Sequence, residues 1–154
     1  MRRICVVLVT IAAALIALPA AQPAVVVNES VPFSFVVFVP CANDGAGELV
    51  LLEGRLHVLL TETVNDNHVS FKGHFQPQGL SGTGLTTGDS YRGTGVTQDH
   101  VSLGPGVTQT FVNNFRIIGQ GPGNNFVVHE NLHLTINANG ELTALHDNFN
   151  TDCK

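Results

Sequence analysis

The sequence predicts an all-β fold, a single eight-stranded antiparallel up-and-down β-barrel behind a signal peptide. Three observations predict it. Beyond residue 24 the apolar residues recur with the two-residue period of a strand rather than the period of a helix. The runs are broken by Gly, Asn, Asp and Pro clusters, and those breaks are short, as in a meander whose strands pair with their sequence neighbours. Eight such strands close when the last meets the first.

The chain opens with "MRRICVVLVTIAAALIALPAAQPA", in which Arg2 and Arg3 precede an apolar stretch from Cys5 to Leu18 and small residues follow at Ala20, Ala21 and Ala24. That order is the layout of a secretory signal, so residues 1–24 are expected to be removed by cleavage near 20–24. The apolar stretch is short for a membrane span and runs into Pro19 and Pro23, which predicts no stable membrane insertion after processing. No cysteine directly follows it, as a lipoprotein would need, and the paired arginines lack the polar context of a twin-arginine signal. The expected location is extracellular, or periplasmic in a Gram-negative host; in a eukaryotic host "NES" at Asn28 would be a glycosylation sequon.

Processing leaves residues 25–154 as one domain, large enough for a core of its own. Five cations (Arg55, Lys72, Arg92, Arg116 and Lys154) then face twelve acids, a formal charge of −7, which argues against nucleic acid as a partner. Cys5 leaves with the signal, so Cys41 and Cys153 remain in a compartment where disulfides persist, and a bridge between them is expected. Such a bridge requires the two ends of the domain to meet.

The first strand, "VPFSFVVFVP", is apolar on both faces. After the turn "ANDGAG" the run "ELVLLEGRLHVLLTET" places Val50, Leu52, Leu56, Val58 and Leu60 on one face, with Glu53, Arg55, His57, Thr61 and Thr63 on the other. A hairpin centred between Asn65 and Asp66 sets Leu56 against Phe75 and Leu60 against Phe71, and on the polar face Arg55 against Gln76, His57 against His74, Thr61 against Ser70 and Thr63 against His68. From Gly79 to Thr97 two glycine-rich strands, each carrying "GTG", flank a turn at Thr87 to Asp89, a pattern of sharp curvature or close backbone approach. The last three strands are expected at Thr108–Gly119, Asn125–Asn137 and Glu141–Phe149.

Strand count, meander and cysteine placement together resemble the small secreted eight-stranded barrels, namely the calycins and the allene-oxide-cyclase-like and dirigent-type barrels, over nearly the whole processed chain. The resemblance implies an interior that is either packed or holds one small ligand, and it carries over no catalytic residue.

"HENLH", His129 to His133, spells the zinc-protease pattern H-E-x-x-H. Its surroundings, Phe126, Val127, Val128, Leu134, Thr135 and Ile136, predict a strand. On a strand the two histidines stand about 13 Å apart and Glu130 points to the other face, so they cannot share one zinc. No cofactor is expected either: "GTG" and "GQGPG" match no phosphate loop, and no G-x-S-x-G elbow is present. His57 and His74, with His68 nearby, are candidates for acid–base chemistry, or for a metal given one further ligand; the plainer reading makes them the polar face of an amphipathic hairpin, and no metal site is assigned.

A soluble barrel turns the apolar face inward, whereas an outer-membrane barrel would show it to lipid; one Tyr and no Trp make no aromatic girdle, which favours the soluble case. The expected function is binding of a small hydrophobic ligand by Leu52, Leu56, Val58, Leu60, Phe71 and Phe75. The alternatives are a barrel enzyme of the cyclase or isomerase type, assisted by His57, His74 or Arg55, and a structural or surface-interaction protein with a filled core. The oligomeric state is not fixed by the sequence.

Overall fold

In a computed structural model, residues 24–65, 67–120 and 125–154 are described; the expected signal peptide lies outside them except for its last residue. The strands are β1 (Ala24–Val39), β2 (Glu48–Asn65), β3 (His68–Gly84), β4 (Ser90–Leu103), β5 (Val107–Gly119), β6 (Phe126–Ile136) and β7 (Leu142–Cys153). They form one sheet in sequence order with every neighbouring pair antiparallel, so the all-β meander is as the periodicity predicts.

Two expectations are corrected. Among the described residues there are seven strands in the sheet, not eight, and the sheet does not close into a barrel. The difference in number lies at one glycine: residues 68–84, expected as two strands, are the single strand β3 with a bulge at Gly79. There φ is +63°, and a Cβ added at Gly79 would meet nothing within 4 Å, so the position calls for glycine through its backbone angle and not through crowding. Seven antiparallel strands also leave β1 and β7 running parallel to each other, so joining their edges would need a parallel pair that an up-and-down meander does not make.

The β2–β3 register is displaced by two residues from the expected one. His57 faces Gln76, His74 faces Leu59, Leu56 faces Pro77 and Leu60 faces Gly73. The cause is the turn: the Asn65 Oδ1 accepts the backbone N–H of His68 at 3.0 Å, which makes Asn65 and His68 the last pair of the ladder. A two-residue displacement keeps each side chain on its own face, so the apolar and polar sides are still those read from the sequence.

The core sits at one end of the sheet. Val39, Val50, Leu52, Leu80, Tyr91, Ile117 and Phe126 are buried there, and the Phe35 ring of β1 reaches across to Phe115 of β5 with centroids 5.8 Å apart. The "GTG" segments permit this tight curl: a Cβ on Gly82 would come within 2.8 Å of Leu52 Cδ2, and one on Gly93 within 2.6 Å of Leu80 Cδ2. At the same end the expected disulfide joins Cys41 to Cys153 with a Cα separation of 5.7 Å, and Asn125 and Lys154 exchange two backbone hydrogen bonds of 3.1 and 2.8 Å. A bond of this kind forms in an oxidising, extracellular-type compartment.

Glu48, 3% exposed, is the charged group of this core. Its Oε2 accepts the backbone N–H groups of Thr86 and Thr87, both at 3.1 Å, and its Oε1 accepts the hydroxyls of Thr87 and Tyr91, both at 2.9 Å. The opposite end of the trough is open: on its inner face Phe71 is 41% exposed, and Leu145, in the same cross-strand row, is 59% exposed.

Candidate functional site

Directly opposed residues of an antiparallel sheet share a face, so the register sorts every strand residue to the inside or outside of the trough. One inner row runs Val58, Phe75, Thr97, Asn113, Glu130 from β2 to β6. Where this row meets the aromatic residues above the core lies a cavity of about 300 Å³. Phe33, Phe35, Leu56, Phe75, Pro77 and Phe115 make its apolar lining, and Thr97 and Asn113 supply one polar spot. Within that spot the Thr97 hydroxyl donates to Asn113 Oδ1 at 3.0 Å, which leaves the Asn113 amide hydrogens for another acceptor.

The expected ligand residues divide along the trough. Leu56 and Phe75 line the cavity, Val58 and Leu60 continue the same wall toward the open end, Phe71 stands at the mouth, and Leu52 is wholly buried in the core below. Sequence reasoning missed Phe33, Phe35, Thr97, Asn113 and Phe115. The alternation "FSF" marks the first two, but the first strand reads as apolar on both sides, and nothing local marks the polar pair because their contact spans two strands.

The inner face is also the acidic face. Glu29, Glu48, Glu62, Asp99, Glu130 and Asp147 share it, and among the described strand residues no Lys, Arg or His does. Asp99 is held by the Gln109 amide at 3.1 Å. Within the core, burial first and then the Glu48 carboxylate push the Tyr91 hydroxyl up to about 12. For Glu48 itself burial works upward, but the hydrogen bonds from Thr87, Tyr91 and Thr86 outweigh it and hold the carboxyl below its usual value of 4.5.

The three residues considered for catalysis are on the outer face, with the sheet between them and the cavity. His57 donates from Nε2 to Asn28 Oδ1 at 2.7 Å. Arg55 donates from Nε to Ser30 Oγ at 2.9 Å and from Nη2 to the Ser30 carbonyl, and the Ser30 hydroxyl donates onward to Gln78. His74 stands apart from both, so the expected facing pair of histidines is not formed. "HENLH" lies within β6: His129 meets Asn114 Oδ1 at 2.7 Å, His133 meets Thr110 Oγ1 at 3.2 Å, and Glu130 is on the inner face opposite Asn113. The strand therefore separates the three residues that a zinc protease needs together.

A second hollow, of about 490 Å³, lies on the outer face where β2 to β5 pass one another. Thr61, Lys72, His74 and His100 are on its rim, with Thr110 at the far side. Comparison of this chain with family models, with characterised proteins and with solved structures finds no match.

Proposed function

We propose that this is a secreted, non-catalytic protein that carries one small apolar molecule in the inner cavity. The observation that carries the reading is the cavity's lining: four phenylalanines, a leucine and a proline around a single Thr–Asn pair. Ligand sites are concave and mostly apolar, with few polar groups to set orientation, and the volume of about 300 Å³ fits a small ligand rather than a long lipid chain. Catalysis by His57, His74 or Arg55 on a molecule held there draws no support from their outward placement.

The test is titration with a neutral apolar dye, N-phenyl-1-naphthylamine, followed by fluorescence. One saturable site per chain is expected. Leu56→Trp, which fills the cavity from its wall, should weaken binding by at least about tenfold, or about 1.4 kcal/mol, while Phe38→Ser on the outer face should leave it unchanged. Circular dichroism shows whether each variant keeps its sheet. Absence of saturable binding in the unmodified protein would leave the filled-core alternative standing.

A further inference from the structure

We propose that the outer hollow is an oxyanion site of the phosphate class that opens at mildly acidic pH. Its positive groups come from two adjacent strands, the Lys72 ammonium and His74 imidazole of β3 and the His100 imidazole of β4. Hydroxyl donors flank them, because Thr61, Lys72, His100 and Thr110 stand in one line across four strands. Leu59 and Val112 form dry walls on either side. Asp99 borders the hollow only through its backbone, since its carboxylate is held on the inner face by Gln109.

The surroundings favour an anion. The cross-strand line continues from Thr110 to His133 of β6 and His146 of β7, two more groups that can become positive. From β1, the residue facing Leu59 is the neutral Asn28. On the outer face the strand carboxylates are Glu53 and Asp152, which lie eight residues from Thr61 and six from His146 along their own strands, about 26 and 20 Å away. Asp152 is in addition paired with Lys154 at 3.2 Å.

Imidazole is the side chain type that gains charge between neutral pH and pH 5, and the hollow places two of them beside the ammonium of Lys72. A second effect follows from Thr110. Thr110 Oγ1 and His133 Nδ1 are 3.2 Å apart: an Nδ1 without a proton accepts a hydrogen bond from the Thr110 hydroxyl, whereas an Nδ1–H donates to the Thr110 oxygen and leaves the O–H free for another acceptor. An imidazolium at His133 donates from Nδ1, so positive charge and a free Thr110 hydroxyl occur together. The oxyanion can be a soluble phosphate or the phosphate of a lipid headgroup.

The experiment is a titration of the folded protein with inorganic phosphate at pH 5.5 and 7.5, read by amide and imidazole NMR shifts at constant ionic strength. Saturating shifts centred on Lys72, His74 and His100 are expected at pH 5.5, with affinity lower by at least about tenfold at pH 7.5. Lys72→Gln and His100→Gln should each weaken binding, whereas His129→Gln, outside the hollow, should not. Absence of saturation at pH 5.5, equal affinity at both pH values, or full binding by the His74→Gln, His100→Gln double variant would each overturn the proposal. Sedimentation with phosphatidylglycerol vesicles at pH 5.5 separates the sources: pelleting that added phosphate reverses identifies a headgroup, and phosphate binding without pelleting identifies a soluble anion.

Discussion

The buried carboxylate of Glu48 ties the β3–β4 turn to the start of β2, and its four partners differ in kind. The groups on Oε1 are hydroxyls, which can turn and accept, while those on Oε2 are backbone N–H groups, which cannot. Glu48→Gln therefore retains a workable geometry with its amide nitrogen at the Oε1 position, and the loss is that of charge-assisted hydrogen bonding, about 1 to 2 kcal/mol. Glu48→Ala leaves two buried N–H groups unanswered and should cost more. Because the folded carboxyl sits below its ordinary value of 4.5, this stabilisation is complete above that pH and is lost as pH falls through the folded value. Urea denaturation between pH 6 and 3 should show a steeper loss for the unmodified protein than for Glu48→Gln; parallel curves would remove Glu48 from the acid response. Nothing in the sequence announces this residue. An acid just after a Gly-rich turn reads as solvated, and its partners Thr86, Thr87 and Tyr91 belong to a hairpin one strand further along the sheet.

The disulfide is the clasp of the trough at the level of elements, since β7 is otherwise bound to the sheet along β6 and is exposed over its whole length. The bridge closes a loop of 112 residues, so a Cys41→Ser, Cys153→Ser variant should lose about 4 to 5 kcal/mol in the chain-entropy treatment. The damage should be local first. Amide exchange should accelerate at Asn125 and Lys154, whose mutual hydrogen bonds adjoin the bridge, while the β2–β3 hairpin at the far end keeps its protection. A double variant that unfolds within about 1 kcal/mol of the unmodified protein would show that packing alone holds this end. Strands, faces and the bridge were legible because period two and a pair of cysteines are local signals. The register was not, since an apolar pattern fixes pairing only modulo two and the choice fell to the Asn65 side chain. Gly79 misled for a related reason: glycine serves a turn or a bulge equally well, and the ladder on either side decides which.

Across the whole molecule the two faces differ in sign, a property written in the sequence but visible only with the strands in register. The inner face holds six acids, while Arg55, Lys72, Arg92, Arg116 and the strand histidines lie outside with Glu53 and Asp152. The trough was harder to foresee, because closure depends on strand parity and on the curl at Gly82 and Gly93, and both need the complete sheet. Residues 25–154 carry a formal −7 with their histidines neutral, and seven imidazolium charges would bring that sum to zero. Net repulsion between molecules should then vanish as the faces reach their greatest contrast, acidic within and cationic without. Static light scattering is accordingly expected to show a second virial coefficient that turns negative near pH 5.5, and that recovers at about 0.3 M NaCl, where the screening length is well below the thickness of a sheet. Attraction that salt leaves untouched would instead point to the half-exposed apolar wall formed by Phe71, Leu145 and Phe149. Exchanging His100, His133 and His146 together for Gln discriminates further: without them the outer face keeps its arginines and Lys72, and the attractive regime should shift to lower pH and become weaker.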